Sequence, residues 1–418
     1  FFSARPLAEA LSFVALAALV SQRRIPAAVF AVMAVSIHPL MALPVVLIMT
    51  IASLVPPPGW RNAVLAGLAL VTASLISAGL LGGSDPLMSG QWLELTVLRS
   101  RYLFIGTWST GDWQTSVLPL ATLALVAAAL PEGKVTILAR AALIVGTAGR
   151  LLTVICGGPV PLKLLLQAQP WRWVWIGAFL ALVMLPPLVQ RLWRSGRTGQ
   201  ATALLLLAGW MLSGWSSSDR IPPIGAGGLI AALSLGLWVV RSKLSGRASR
   251  MVLAGGWSLL IIVAIAVAGS ALAVARGGFH FGTDPRWVEL TAEMFRVFPP
   301  LAAGAVLVAW MLTTRRKSAA GTAVIAAVSV ALLVAAAPGA RASWMPGLLL
   351  PDQHPGFAQW REAIPLTAEV FWPDFPQGTW FLLERRNYLS DSQLAGIVFS
   401  KGLAAEASRR ANDLSGFT

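Results

Sequence analysis

The chain has 418 residues, of which 56% are hydrophobic and only 12% are charged, and its formal net charge is +15. Because a soluble domain has about a quarter charged residues, this composition excludes a soluble globular protein and indicates that lipid is the solvent. The positive charge does not indicate a nucleic-acid partner, because the basic residues fall in short clusters between apolar runs. A single cysteine, Cys156, excludes a disulfide framework and a cysteine-based metal site.

Long apolar runs follow one another along the chain, and they are continuous instead of alternating. This pattern predicts membrane-spanning helices and not barrel strands. A further run at residues 26–55 is interrupted by His38-Pro39 and by Pro44, which predicts two short spans or a re-entrant hairpin. We therefore expect an all-α polytopic membrane protein with about 10–12 transmembrane helices. The continuous runs lie near residues 7–22, 62–81, 117–130, 136–156, 173–190, 201–216, 222–240, 251–275, 297–313 and 319–337.

Basic and acidic residues occupy alternate loops between these spans. Loops such as 191–197 and 241–250 carry arginine and lysine, and the positive-inside rule places them in the cytoplasm. The opposite loops near 82–116 and 276–296 collect acidic residues. This arrangement predicts a multi-pass protein of the cytoplasmic (inner) membrane, with residues 1–337 as its transmembrane domain and these two loops outside.

The two long outer loops share a pattern. Each has Asp-Pro (Asp85-Pro86 and Asp284-Pro285), which predicts a helix start, and each then has Trp-x-Glu-Leu-Thr at 92–96 and 287–291. Such segments are typical of amphipathic helices at the membrane interface. They either form an ordinary interfacial belt or flank a site that opens at the outer surface.

The stretch "SRYLFIGTWSTGDWQ", residues 100–114, places charged and aromatic residues between two apolar spans. Arginine binds phosphate in a planar, bidentate way, and an aromatic face stacks on a sugar ring. We therefore interpret Arg99, Arg101, Trp108 and Trp113 as candidate substrate-binding residues, and Gly106 and Gly111 as positions that allow tight turns. Asp112 and Glu94 are the candidate catalytic carboxylates for base-assisted or metal-assisted transfer. The alternative is an interfacial aromatic belt with an incidental ion pair.

Three further basic side chains complete the predicted substrate-binding set: Lys163, His280 and Arg286. Lys163 is a basic residue on the outer side, where it either holds a phosphate or extends toward the interface. A lone histidine such as His280 or His38 is also compatible with a structural role. No metal ligands are predicted, and the sequence identifies no cofactor; a divalent metal is the one that metal-assisted transfer would use.

After about residue 338 the composition becomes polar and rich in turns. The pattern over 338–418 predicts a small extracytoplasmic α/β module with a short helix at 356–363 and a strand at 369–372. A strand or helix at 379–385 and two later helices complete it. We expect this module to pack onto the outer loops.

The segments "RPLAEALSFVALAAL" at 5–19, "HPLMALP" at 38–44, "RYLFIGTWSTGDW" at 101–113 and "TWFLLERRNYLSDSQLAGIVFS" in the tail carry a resemblance. Together with the span count, they make the chain resemble bacterial polytopic glycosyltransferases of the GT-C class. The resemblance implies that the partner is a polyprenyl-phosphate-linked sugar, used at the outer face of the membrane.

The chain departs from that class at its start. The class usually carries its key acidic residues in the first outer loop, and this sequence begins on the outer side without that span or loop. We therefore expect an N-terminus that is incomplete, and no catalytic acid is carried over from the class. Two other functions stay open. A transporter or flippase of a lipid-linked or small anionic substrate would use charged residues within spans, for which Arg140 and Arg150 are candidates. A non-catalytic membrane assembly subunit would need no site.

Overall fold

The computed structural model describes residues 4–54, 60–83, 85–215, 226–276, 355–373 and 375–416. These residues are mostly helical, as the composition predicts. The predicted outer loop at 276–296 and the predicted spans at 297–313 and 319–337 lie outside the described residues. In the first part of the chain the helices are α1 Ala4–Val20, α2 Arg24–Ile37, α3 Pro39–Leu54, α4 Trp60–Leu81, α5 Gly90–Arg99, α6 Thr110–Ala129, α7 Lys134–Cys156, α8 Lys163–Ala168, α9 Trp175–Trp193, α10 Gly196–Trp215, α11 Ala226–Val240 and α12 Gly246–Arg276.

Within the described residues, four segments are long and apolar enough to cross a membrane. They are Val64–Leu81, Lys134–Cys156, Lys163–Trp193 and Gly246–Ala266. This agrees with a helical membrane protein, while the larger number of spans stays a prediction. The third of these segments, which contains α9, begins earlier than the sequence suggests, because α8 and the 3₁₀ helix Pro170–Val174 lead directly into it.

These segments fall into two groups, two that are largely buried inside the protein and two that are largely exposed. Over half of the α7 and α9 segments is buried inside the protein, at 61% and 56%, whereas the segments of α4 and α12 are only 6% and 11% buried. The centre of the core is formed by α6, α7 and α9, with side chains such as Leu123, Ile176 and Leu188 fully enclosed. An apolar helix with an exposed surface is the arrangement that lipid favours.

Glycines let the 3₁₀ helix Pro170–Val174 approach α7 closely. A Cβ atom on Gly149 would lie 2.5 Å from the Pro170 carbonyl oxygen and 2.7 Å from the Trp173 Cβ. A Cβ on Gly146 would lie 2.8 Å from a methyl group of Leu120. Small residues permit such backbone contacts between membrane helices. The contact fixes the tryptophan-rich segment 171–175 against α7.

The apolar run at 26–55 is broken where the sequence predicts. Helix α2 ends at Ile37 and α3 begins at Pro39, with His38 between them. The His38 carbonyl accepts hydrogen bonds from the backbone N–H groups of Met41 and Ala42, and so it forms the start of α3. Pro44 lies inside α3 without ending it.

The segment predicted to be the first outer loop differs from the prediction in its local structure. Asp85 and Pro86 do not begin a helix, because residues 85–89 run in extended form beside residues 161–163. The Met88 N–H donates to the Pro161 carbonyl at 2.8 Å, and the Lys163 N–H donates to the Pro86 carbonyl at 2.9 Å. Helix α5 begins only at Gly90, whose φ of +57° favours glycine.

The tail is predominantly helical, and the predicted α/β character is reduced to one short strand pair. Strand β1 Glu369–Val370 pairs in parallel with β2 Arg386–Asn387. The predicted strand at 369–372 is therefore only two residues long, and of the 379–385 segment only residues 379–381 lie in a helix. The tail helices are α13 Ala358–Ala363, α14 Pro376–Phe381 and α15 Lys401–Leu414, with 3₁₀ helices at Pro355–Phe357 and Gln393–Phe399.

The tail packs against α5 and α8. The Trp92 indole N–H donates to the Ile397 carbonyl at 2.7 Å, the Arg99 Nε donates to the Asp391 carbonyl at 2.6 Å, and Gln167 donates to the Val398 carbonyl at 3.2 Å. Three side chains of the helical domain therefore bind backbone carbonyls of the tail. This interface fixes the tail beside the segment that the sequence predicts to be the first outer loop.

Candidate functional site

The segment 100–113 is a series of tight turns that hold one tryptophan. It contains 3₁₀ helices at Arg101–Leu103 and Ile105–Thr107. The Thr107 hydroxyl bonds to the Phe104 carbonyl at 2.7 Å, and the Trp108 indole N–H donates to the Tyr102 carbonyl at 3.0 Å. Gly106 and Gly111 are not among the residues with positive φ, so the turns form without the glycine conformations that the sequence suggested.

Helix α6 begins with a capping box. The Asp112 N–H donates to the Ser109 hydroxyl oxygen at 3.3 Å, while Asp112 Oδ2 accepts from both the Ser109 N–H and the Ser109 hydroxyl at 2.8 Å. Such reciprocal bonds satisfy N–H groups at a helix start. Asp112, a predicted catalytic residue, therefore has a clear structural role. Both bonds use Oδ2.

The capping box brings Trp108 and Trp113 together, and Arg150 joins them from α7. The two indole rings lie 5.0 Å apart with an interplanar angle of 65°. The Arg150 guanidinium lies 5.0 Å from the centroid of the Trp108 ring, which is a cation–π geometry. Asp112 is near enough to interact electrostatically with Arg150.

A second aromatic and cationic group adjoins the first through Tyr102. The Tyr102 and Trp171 rings lie 4.9 Å apart, and the Arg172 guanidinium lies 4.8 Å from the Trp171 ring centroid. Arg172 also donates through Nε to the Gln169 side-chain oxygen and contacts the Met41 sulfur at 3.9 Å. We call Tyr102, Trp108, Trp113, Arg150, Trp171 and Arg172 the arginine–tryptophan cluster.

Within the described residues, neither arginine of this cluster forms an ion pair with a carboxylate, although Asp112 interacts electrostatically with Arg150 and Glu9 with Arg172. Among the residues that the structure describes, neither guanidinium has an aspartate or glutamate oxygen within 4.0 Å. Arg140, on the same helix as Arg150, is different because it forms an ion pair with Glu132. A partly buried cation is normally paired. Arg150 and Arg172 are therefore suited to bind an anion.

Several buried donors around the cluster also lack a partner. The Arg150 Nε, the Trp171 Nε1 and the Trp173 Nε1 are enclosed and make no hydrogen bond to the residues described. The His38 Nδ1, close to Met41 in sequence, is also buried and makes no hydrogen bond to a described residue. Buried polar groups are usually satisfied, so these donors are positions where an ordered water or a polar ligand would supply the missing hydrogen bonds.

The other predicted site residues lie in different surroundings. Glu94 is exposed on α5 and shares no hydrogen-bond or ion-pair partner with Asp112 among the described residues. Arg99 holds the tail through Asp391, and Arg101 is exposed. Lys163 donates from Nζ to the Asp85 carbonyl, so it supports the extended segment 85–89. His280 and Arg286 lie outside the described residues.

Sequence reasoning missed half of the cluster. It selected Trp108 and Trp113 but not Tyr102, Trp171 or Arg172, and it considered Arg150 only for transport. The available signal was the segment "QPWRWVW", in which an arginine stands between tryptophans at the start of an apolar run. Nothing in the sequence indicates that this segment faces Tyr102.

No cluster of three or more metal-ligating side chains occurs within the described parts of the chain. In comparisons with known proteins, no family model matches the chain, and neither a curated protein nor a solved structure resembles it significantly. The functional argument therefore depends on the geometry of the arginine–tryptophan cluster.

Proposed function

We propose that this chain is a membrane-embedded, glycosyltransferase-like protein that acts on a lipid-linked sugar at the outer face of the cytoplasmic membrane. The observation that carries the proposal is the pair Arg150 and Arg172, which form no ion pair with a carboxylate among the described residues and lie against indole rings. Two guanidinium groups beside aromatic faces suit a ligand that combines a phosphate with a sugar.

The roles follow from the chemistry of each group. Arg150 and Arg172 bind the phosphate or diphosphate oxygens, since guanidinium donors match an oxyanion in charge and geometry. Trp113, which is 41% exposed, offers a face on which a sugar ring stacks. The lipid chain lies along the exposed apolar surface of the helical domain, in the bilayer.

Transfer breaks the bond between the sugar C1 and the phosphate oxygen and forms a bond from C1 to an acceptor hydroxyl oxygen. The electron pair of the broken bond stays on the phosphate, whose charge Arg150 and Arg172 offset. The hydroxyl proton goes to a carboxylate base. Asp112 is our first candidate because it lies near Arg150 and its Oδ1 is not used in the capping box. Glu94 is the second.

The tail completes the proposed arrangement. If the positive-inside orientation is correct, the tail and the first outer loop lie together on the extracytoplasmic side. There the tail packs on α5, and a water-soluble acceptor reaches the cluster from the same side.

Binding to the full-length protein in neutral detergent tests the proposal. The probe is a short polyprenyl-phosphate-linked hexose, and the readout is the change in the protein's tryptophan fluorescence on titration. We expect Arg150→Gln and Arg172→Gln each to weaken binding about tenfold or more, as expected for lost charge-assisted hydrogen bonds.

Two controls sharpen this experiment. Arg194→Gln, an exposed arginine after α9 at the other end of the helical domain, should bind like the wild type. The matching uncharged polyprenol should bind much more weakly than the phosphate-linked sugar. Equal binding of both probes, or wild-type affinity in both cluster variants, would contradict the proposal.

Transport of the same lipid is a second candidate, and one observation favours it. Arg150 lies within α7, which is long and apolar enough to span a membrane, and charged residues in spans are typical of transporters. Vesicles that contain the protein separate the two functions. Movement of an intact fluorescent lipid-linked sugar across the bilayer indicates transport, and release of the sugar from its lipid indicates transfer. An assembly subunit would do neither.

A further inference from the structure

A cavity at the opposite end of α7 from Arg150 is separate from the cluster. Its volume is about 120 Å³, well above the ~10–15 Å³ that one water needs. It is open to one side, and the ends of α1 and α3 and the starts of α2 and α7 border it, with Arg24 and Lys134 exposed at its rim. The lining residues are Leu19, Val20, Gln22, Arg24, Ala52, Ser53, Lys134, Ile137 and Leu138.

Two of the four polar residues in this lining are cationic. Arg24 and Lys134 both line the cavity, and no acidic residue does. Neither side chain makes a hydrogen bond or an ion pair with another residue that the structure describes. The nearby acid Glu132 is engaged with Arg140. Two cations at one cavity without a counter-charge attract an anion.

The backbone around the cavity adds to this attraction. Gln22 has a φ of +63°, a conformation rare for residues other than glycine, and the tight turn that it forms brings Arg24 to the cavity. Arg24 and Lys134 are the first residues of α2 and α7, and neither helix start has a side-chain cap. The free N–H groups of a helix start favour negative charge.

We propose that this cavity binds a phosphate oxyanion, contacted by Arg24 and Lys134 with the hydroxyl of Ser53 as a further donor. The ligand is either the headgroup of an anionic phospholipid or a free phosphate, since both present the same oxygens. In the predicted orientation the cavity faces the cytoplasm, where anionic lipids carry a negative surface potential. The leucine, isoleucine and valine side chains of the lining suit the first carbons of a lipid.

Titration calorimetry on the full chain in neutral detergent tests this site. The probes are inorganic phosphate, dihexanoyl phosphatidic acid and the uncharged dihexanoyl glycerol. We expect phosphate-bearing probes to bind and the uncharged lipid not to bind. Binding of the short lipid alone identifies a headgroup site, and comparable binding of inorganic phosphate identifies a free phosphate site.

Matched variants test whether the phosphate-bearing probes bind in this cavity. The double variant Arg24→Gln/Lys134→Gln should weaken it at least about tenfold, because charge-assisted hydrogen bonds are lost. Ala52→Leu keeps every charge but fills the cavity, and it should weaken binding as well. Lys243→Gln/Arg247→Gln removes two cations near the start of α12, away from the cavity, and should have no effect.

Three results would overturn the site: wild-type affinity in the double charge variant, equal binding of the uncharged lipid, or full binding in Ala52→Leu. The last would assign the affinity to general surface charge. Thermal transitions of each variant establish that it is folded. The loss caused by Arg24→Gln/Lys134→Gln should be just as large when Arg150→Gln is also present, so the test stands apart from the proposed function.

Discussion

The Arg150 guanidinium lies 5.0 Å from the centre of the Trp108 ring, and among the described residues it has no carboxylate oxygen within 4.0 Å. A cation–π contact contributes about 0.5–2 kcal/mol, which is less than the several kcal/mol that burial of a charged group costs. We therefore expect that Arg150, even with Asp112 nearby, does not stabilise the folded state. A residue that costs stability is typical of functional sites.

The first prediction is that Arg150→Met leaves the free energy of unfolding unchanged or raises it by up to about 2 kcal/mol. The methionine fills similar space and removes the unpaired charge. Binding of the phosphate-linked probe should nevertheless be lost. Thermal unfolding of the purified protein and the fluorescence titration together measure these two effects.

Arg385 provides the contrast. It is 6% exposed, and its guanidinium donates to the carbonyls of Arg361, Ile364, Leu383 and Glu384. Arg385→Met leaves these buried carbonyls without a donor and should destabilise the tail by about 3 kcal/mol or more. A loss of stability in Arg150→Met as large as in Arg385→Met would indicate that Arg150 is structural.

The second prediction separates the two roles of Asp112. Ser109→Ala and Asp112→Ala should each cost about 1 kcal/mol, and the double variant should cost clearly less than the sum, because the capping bonds are reciprocal. Asp112→Asn keeps an oxygen acceptor for the Ser109 N–H and should retain most of the stability.

Asp112 is also the proposed base, and the asparagine of Asp112→Asn cannot accept a proton in its place. Transfer of sugar from the lipid-linked probe should fall about 10²–10⁴-fold while probe binding stays near the wild-type value. Unchanged transfer in Asp112→Asn would leave the carboxylate with the capping role alone. Glu94→Gln, measured in the same assay, then tests the second candidate.

The third prediction concerns the close contact between α7 and the segment that carries Trp108. A Cβ on Gly157 would lie 2.2 Å from the Leu103 carbonyl oxygen and 2.8 Å from the Thr153 carbonyl oxygen. Gly157→Ala should therefore displace the segment, lower stability by about 1–3 kcal/mol and weaken probe binding.

Gly106 is the matched control, because it lies in the same segment and a Cβ there would meet nothing within 4 Å. Gly106→Ala should change the free energy of unfolding by less than about 0.5 kcal/mol. If both variants behave alike, the approach of the backbone at Gly157 does not position Trp108.

The helical class and many helix positions were predictable because apolar runs and proline breaks are local signals. The division at His38-Pro39 is an example, since proline starts a helix readily but cannot continue one. The start of α5 was not predictable. Asp85-Pro86 has the chemistry of a helix start, but pairing with Pro161 and Lys163, distant in sequence, holds the segment extended.

In the candidate site, too, contacts between sequence neighbours were predictable and contacts between distant residues were not. Trp108, Trp113 and Asp112 are neighbours in sequence, so their association was foreseeable. The contacts of Arg150 with Trp108 and of Trp171 with Tyr102 join residues 42 and 69 positions apart, and they depend on how α7 packs against the 3₁₀ helix Pro170–Val174. Neither Gly149 nor the segment "QPWRWVW" is enough by itself to predict this packing.

The final prediction concerns the pH dependence of the tail. On α15 the hydrogen bonds from Arg409 and Arg410 lower the pKa of Glu406 from its ordinary value to about 2. Because the folded-state pKa is depressed, the stabilisation is present above the unfolded pKa of about 4.5 and is lost as pH falls toward 2. The effect is small, since these groups are exposed to solvent.

Pepsin, which cleaves in acid, measures this effect on the full-length protein. At pH 4 the wild-type tail should resist cleavage better than Glu406→Gln, because the wild-type carboxylate still accepts bonds from Arg409 at 2.7 and 2.9 Å. At pH 2 the difference should become small, as the wild-type carboxyl approaches its own protonation. Glu362→Gln removes an exposed tail carboxylate that makes no ion pair with any described residue, so it should match the wild type at both pH values. An advantage of the wild type that persists unchanged below pH 2 would show that Glu406 acts through packing and not through its charge.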